Sequence, residues 1–355
     1  MEQHAEEPVS PVQDGGGGAA AASPGPQQGS DVEVAIQVAQ RLYGRLRAAV
    51  VGRDDVIELI LVALFADGHV LLEDYPGSGK TTLAKTLGVS IVDDHDENGI
   101  PTFRRVQFTP DLLPSDITGV NIFDTERNTF EFRPGPIFAY TVLADEINRT
   151  SPKVQSALLE AMAEKQVTVD NTTYPLDELF FVIATQNPLD LAGTYPLPTA
   201  QLDRFLFKIR MRHISRNAEL EVLGPYPAPR EDKVRELPTV TRGEVLTARR
   251  LCREHVTIAP AIKECLVDIA RATREDAQVM AGVSTRALMF AMPALQARAM
   301  FHRRDYVSGE DVKQLVPYIF AHRIELVPGA DDAHEIIRQC AAGPLEALSR
   351  RSVSS

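Results

Sequence analysis

From Asp74 to Thr82 the chain reads Asp-Tyr-Pro-Gly-Ser-Gly-Lys-Thr-Thr, a glycine-rich loop closed by a lysine and two hydroxyls. A loop through Pro76, Gly77, Ser78 and Gly79 that opens a helix turns backbone N–H groups toward one point, where anions are favoured. Lys80 is placed to reach the terminal phosphates of a nucleotide and Thr81 to ligate Mg²⁺, with Thr82 beside them as a further nucleotide-binding residue in the first helical turn. The phosphate-loop pattern G-x-x-x-x-G-K-[ST] is complete except at its first position, which is Asp74. Asp74 falls at the strand-to-loop junction, outside the segment that wraps phosphates, so its side chain is expected to point away from the nucleotide at a modest cost in affinity.

Three further groups suit the same chemistry. Val142-Leu143-Ala144-Asp145-Glu146 is an apolar run ending in adjacent acids. That arrangement sets Asp145 beside a metal ion and Glu146 beside the terminal phosphate, where it can polarise water. Thr185-Gln186-Asn187-Pro188 offers an amide, Asn187, that can hold that water. Gln201-Leu202-Asp203-Arg204-Phe205 brings an arginine to the start of another apolar run.

Positioning these groups requires strands that end where the polar residues begin. Segments 69–73, 141–145, 180–184 and 205–209 are short, largely apolar runs, the pattern of buried strands, and 105–108 is read as a further strand. Helices are expected over 80–88 and 151–165, the latter opened by Ser151-Pro152 as cap and first helical residue. The expected fold class is α/β, a five-stranded parallel sheet between helices, followed by a smaller all-α domain. Two hairpins interrupt the alternation, over 117–132 and 166–176. The domain reading is a disordered Gly/Ala/Pro-rich tail over 1–30, a nucleotide-binding core over 31–213, a linker over 214–240 and a helical domain over 241–355. Helices in the last are expected near 241–254, 260–274, 284–303, 308–320 and 333–350.

Composition excludes several classes. Acids outnumber bases 49 to 37 in the 355 residues, giving a formal net charge of −12. That balance argues against sequence-independent nucleic-acid binding, which needs cations to replace phosphate counterions. Cys252, Cys265 and Cys340 form no C-x-x-C pair, so neither a disulfide framework nor a zinc site is indicated, and a reduced cytoplasmic setting is expected. The most apolar stretch, 56–72, carries Glu58 and Asp67 and is no membrane span.

In order along the chain, "VVGRDDVIELILVALFADGHVLLE", "QFTPDLLPSDITG", "RPGPIFAYTVLADEINRTSPKVQSALLEAMAEKQVTV", "ATQNP" and "LPTAQLDRFLFK" resemble the AAA+ ATPases, and within them the MoxR family of the helix-2-insert clade. The resemblance covers about 51–205 and continues more loosely to about 326. It implies that Val51 and Gly52 form the adenine-contacting turn. It makes Lys80 and Thr81 the phosphate and metal residues, Asp145 the metal-side acid, Glu146 the general base and Asn187 the sensor-1 residue. Gln107 occupies the position that restrains Glu146. Arg204 matches the arginine finger that enters a neighbouring subunit's site, Arg286 matches sensor 2, and Arg149 is either a second intersubunit arginine or a local cap. The cofactors implied are ATP and Mg²⁺. The partners implied are further copies in a ring, by family habit a hexamer, and a client protein, in this family often one with a von Willebrand factor A domain. The expected role is chaperone-like: remodelling or activating client complexes, or inserting their metal cofactors.

Other readings are the ATPase subunit of a metal chelatase, a nucleic-acid motor, and a nucleotide-gated scaffold that scarcely hydrolyses. The acids Asp170, Asp177 and Glu178 in the second hairpin region disfavour the motor, and Glu146, Asn187 and Arg204 disfavour the scaffold. Besides Asp74, two features depart from the family pattern: the acidic insertion 92–101, and Pro293, expected to kink the helix that carries Arg286.

Overall fold

A computed structural model describes residues 26–73, 77–94, 99–188, 193–224, 231–330 and 332–353. The expected tail up to residue 25, Asp74 and Pro76 of the loop, residues 95–98 of the acidic insertion, and the proline-rich stretch 225–230 lie outside them.

The chain opens with helices α1 (Pro26–Ala49) and α2 (Asp54–Phe65), then strand β1 (Val70–Glu73) and helix α3 (Lys80–Ser90). Strands β2 (Ile91–Val92) and β3 (Phe103–Gln107) and helix α4 (Pro114–Thr118) follow. A hairpin of β4 (Gly119–Asp124) and β5 (Thr129–Pro134) precedes β6 (Thr141–Asp145), a 3-10 turn (Ile147–Arg149) and α5 (Pro152–Glu164). A second hairpin, β7 (Gln166–Val169) and β8 (Thr172–Pro175), leads to β9 (Phe181–Gln186), α6 (Thr199–Leu202) and β10 (Phe207–Arg210). After α7 (Arg216–Leu223) and α8 (Glu231–Arg235) come β11 (Val240–Thr241), α9 (Arg242–His255), α10 (Pro260–Glu275) and β12 (Val279–Ala281). The chain closes with α11 (Thr285–Phe301), α12 (Gly309–Phe320), a 3-10 turn (Ala321–Arg323), β13 (Glu325–Leu326) and α13 (Ala333–Val353).

Five strands form one parallel sheet in the order β10-β1-β9-β6-β3. Side chains alternate across it. Val70, Leu72, Leu143, Phe181 and Ile183 enter a core shared with α1, α2, α3 and the second domain. Leu71, Val142, Ala144, Val182 and Ala184 face the opposite layer around α5. Strands buried on both faces read as near-continuous apolar runs, which is why these were legible.

Both hairpins form, with turns between the strand ends at 125–128 and 170–171. They are joined by Phe132 stacked on Tyr174, centroids 3.7 Å apart, and by Asn121 Nδ2 donating to Asp170 Oδ2 at 2.9 Å. The second domain differs from an all-helical one by short strands: β12 pairs antiparallel with β13, and β11 pairs parallel with β2 of the core. Strands of two or three residues carry no periodicity to detect. Helix α1 starts at Pro26, within the segment read as tail, and packs its apolar side against α9 and α3. Helix α11 runs as one element through Pro293. Asp94 of the acidic stretch accepts from Gly243 N at 2.5 Å, capping the first turn of α9. Among the described residues no helix is long and apolar enough to cross a membrane.

His69, at the foot of β1, is fully enclosed. Its Nδ1 accepts from Val182 N at 3.1 Å, which leaves Nε2 to donate to the Met162 carbonyl at 3.1 Å. Burial lowers its pKa to about 4, against smaller raising effects of that carbonyl and Asp67; Lys165 and Arg249 lower it further. The folded value lies below the unfolded one of about 6.5, so protons bind the unfolded chain more tightly. Its stabilisation is therefore full above about pH 6.5 and is lost as pH falls toward 4, by about 2 kcal/mol at pH 5. His322, also buried and lowered, acts in the same direction. Urea midpoints at pH 7 and pH 5 should show this loss, and equal midpoints would refute it.

Candidate active site

The loop after β1 is shaped by two glycines. Gly77 and Gly79 have φ of +86° and +93°, a backbone region that side chains avoid, and Gly79 directly precedes the first residue of α3. The first turn of α3 then carries Lys80, Thr81 and Thr82. A polar cavity of about 430 Å³ opens beside them, lined by Gly77 to Thr82 and by Arg105, Asp145, Glu146, Thr185, Gln186 and Asn187. Asp145, Glu146, Thr185, Gln186 and Asn187 stand at or just past the carboxyl ends of β6 and β9, and Arg105 lies two residues before the end of β3. A sheet of parallel strands brings such ends together at one edge, and that edge is where open α/β sheets bind ligands.

A second cavity of about 440 Å³ shares Gly77, Ser78, Gly79 and Thr82 with the first. Its other walls include Val50, Val51, Ile214 and Val222, with Arg53, Arg212 and His213. An apolar chamber meeting a polar one across a phosphate-type loop has the form of a base site beside a phosphate site. Val51 lines it directly. Gly52 does something else: with φ +69°, it lets the turn press on α7, where an added Cβ would lie 2.6 Å from that of Ala218.

Asp145 and Glu146 are held differently. The Asp145 Oδ1 accepts from Thr185 Oγ1 at 2.7 Å, and its Oδ2 accepts from Arg105 Nη2 at 2.6 Å and Nε at 3.2 Å. Thr185 also accepts from the Glu146 backbone N–H at 2.9 Å, so one hydroxyl fixes both acids. Glu146 itself has φ +60°, a strained conformation for a residue with a side chain. Its Oε2 accepts from Gln107 Nε2 at 2.8 Å and lies 3.3 Å from Arg149 Nη1. Behind it, the buried Gln155 amide donates to the Ile147 carbonyl at 3.1 Å and the Tyr195 carbonyl at 2.9 Å, fixing the backbone after the acids.

Lys80, Thr81, Asp145, Glu146 and Asn187, singled out from sequence, thus share one cavity, with Gln107 and Arg149 on Glu146. Pro76 lies outside the described residues. Arg204 lines neither cavity, and among the described residues its guanidinium has no polar partner. Arg286 lines neither cavity too; its Nε is 3.9 Å from Asp203 Oδ2 and its guanidinium lies 5.6 Å from the Phe290 ring centre. Sequence reasoning missed Arg105 and Thr185. Arg105 was detectable, because residues two apart on a strand share a face and Gln107 was already a candidate. Thr185 was hidden as one of three consecutive polar residues, Thr185 to Asn187.

The donors fit Mg²⁺, which takes hard oxygen ligands and binds through one or two carboxylates plus substrate phosphates. Thr81 and Asp145 supply such oxygens, and the Ser78 hydroxyl is a buried polar atom without a partner among the described residues. Among the described residues no cluster of three or more His, Cys, Asp or Glu forms a protein-only metal cage.

Comparison with known proteins agrees with this geometry. Residues 69–207 match the model of the ATPase family associated with various cellular activities (AAA), and residues 271–340 match an AAA lid domain. Chaperone MoxR1 of Mycobacterium tuberculosis is 37% identical over 317 residues, 86% of this chain and 80% of the relative. YeaC of Bacillus subtilis, an uncharacterized protein, is 46% identical over 312 residues, 87% of this chain and 94% of that protein. The crystal structure of a provisionally assigned ATPase from Cytophaga hutchinsonii superposes with a TM-score of 0.77 at 36% identity, covering 89% of this chain and 98% of that one. With this extent of identity, and the sheet, loop and paired acids in place, the chain belongs to the MoxR family of AAA+ ATPases.

Proposed function

We propose that this protein hydrolyses Mg·ATP as a ring of identical subunits and uses the cycle to remodel client proteins. The observation that carries the reading is the division of the machinery. The phosphate cavity gathers Lys80, Thr81, Asp145, Glu146 and Asn187, while Arg204 stands outside it. Arg105, the arginine in the cavity lining, is bound to Asp145, so the arginine that meets the transition state comes from a second copy, as ring assembly requires.

In this mechanism the base occupies the chamber walled by Val51, Ile214 and Val222. Lys80 and the loop N–H groups hold the phosphates. Thr81 and Asp145 would hold Mg²⁺, which when bound neutralises charge on the phosphate oxygens; Arg105 then shares the Asp145 carboxylate. Asn187 orients a water, Glu146 takes its proton, and the water oxygen bonds to the terminal phosphorus as the bond to the leaving ADP oxygen breaks. Gln107 holds Glu146 on one rotamer until that water is in place. Arg204 of the next subunit neutralises charge that develops only in the transition state. Arg286, beside Asp203, couples the position of the second domain to the nucleotide, and Arg149 steadies Glu146.

The client is a protein, and the family habit points to one with a von Willebrand factor A domain or a metal-dependent enzyme complex. The paired hairpins support a protein client over nucleic acid, since Asp124, Glu126, Glu131 and Asp170 outnumber Arg127 and Arg133 along them. A ring of six in the cytoplasm is the assembly proposed. The test is ATPase activity with Mg²⁺ across protein concentration. Specific activity should rise steeply as subunits assemble, and a concentration-independent rate would sink the reading.

A further inference from the structure

The segment carrying Arg204 is gripped from the second domain. Helix α6 before it has four residues, too few to hold a loop in place by itself. The grip comes from the 3-10 turn after α12. Arg323, its side chain 2% exposed, donates from Nε to Asp203 Oδ1 at 2.6 Å. Its Nη2 donates to the carbonyls of Asp203 at 3.0 Å and Phe205 at 2.7 Å. Its Nη1 donates to the Leu206 carbonyl at 3.3 Å and to that of Ile319. All five guanidinium N–H donors are therefore used, four of them on residues 203–206. His322 adds an Nε2–H bond to the Phe205 carbonyl at 3.0 Å. Burial, and next the Arg323 cation, hold its imidazole well below the usual histidine range, so it stays neutral and donates from Nε2. The carbonyls on both sides of Arg204 are thus held by two consecutive residues of the other domain.

We propose that Arg323, assisted by His322, is the positioning residue of the Arg204 finger. It fixes the 203–206 segment so that Arg204 reaches a neighbouring copy's phosphate cavity, and it ties the aim of the finger to the position of the second domain. Asp203 is the hub, since it also meets Arg286 of α11. The proposal rests on Arg204 acting between subunits.

Arg323→Lys is the first variant, because three donors on a flexible stem cannot replace a planar fork of five. The chain should fold and bind a fluorescent ATP analogue within twofold of wild type. Its kcat should fall about 10²-fold with KM little changed, the loss expected of a reacting group misplaced by about 1 Å. The deciding measurement mixes it equally with Glu146→Gln. Arg323→Lys subunits keep an intact cavity, and Glu146→Gln subunits keep an intact finger. Activity should return at up to about a quarter of the interfaces, since each needs the two kinds in a fixed order. A general folding defect would not be rescued in this way.

Arg204→Ala mixed with Glu146→Gln is the control. If that pair recovers activity and the Arg323→Lys pair does not, the positioning role is wrong and the finger stands. If neither recovers, the finger reading falls and this proposal with it. Wild-type kcat in Arg323→Lys alone also overturns it. Should Arg323→Lys fail to fold, Asp203→Asn, which removes the charge that Nε engages, is judged by the same mixing result.

Discussion

Arg204→Ala should lower kcat by about 10³–10⁵-fold while leaving ATP binding within a few-fold of wild type. The size follows from what the guanidinium does. Charge spreads onto the phosphoryl oxygens and the leaving oxygen only as the transition state forms, so a cation delivered there accelerates the reaction without tightening the ground state. The selectivity for kcat follows from where Arg204 sits, since it lines neither cavity of its own subunit. Steady-state kinetics and equilibrium binding of a labelled nucleotide separate the two effects. Turnover within threefold of wild type would remove Arg204 from the machinery. A parallel loss of nucleotide binding would place it in the ground-state site.

Glu146→Gln should cost about 10²–10⁴ in kcat, the usual worth of a positioned general base. Geometry makes this substitution clean. A glutamine keeps an oxygen to accept from Gln107 Nε2, and its backbone N–H still reaches Thr185 Oγ1, so the left-handed turn at 146 keeps its support. What is lost is basicity and one negative charge beside the phosphates. ATP should therefore bind as well or more tightly, and the variant should accumulate in its ATP form. Single-turnover assays with radiolabelled ATP measure both. If Glu146→Gln hydrolyses at the wild-type rate, another group takes the water's proton, and Asp145 becomes the first to test. The stalled protein is also the reagent of choice for co-purifying a client; capture of DNA would favour a motor instead.

Much of the site was legible because its parts are local. A phosphate loop needs glycines at positive φ followed at once by lysine and a hydroxyl, and Gly77, Gly79, Lys80 and Thr81 announce that within five positions. Strands buried on both faces have no polar residue to interrupt them until they end, so Asp145 and Glu146 stood out where β6 stops. The hairpins showed through their turn residues. By contrast, the short strands of the second domain were invisible, since pairing between segments far apart creates them.

Sequence alone set out the candidate inventory: a glycine loop with lysine and hydroxyl, two adjacent acids, an amide past a strand and an arginine at the edge of the sheet, to which the proposed roles of cradle, metal-side acid, base, water holder and finger attach. Each is specified by neighbours within one turn or one strand, where covalent spacing sets geometry. Tertiary structure decided who holds whom. Parallel register sets Gln107 opposite Asp145, which turns a polar strand end into the partner of Glu146 and brings Arg105 onto Asp145. Domain packing put Arg286 on Asp203 rather than in the chain's own cavity, and gave Arg204 its support from Arg323, far along the chain. Such pairings depend on which surfaces bury each other, and burial is a property of the whole folded chain rather than of any stretch within it.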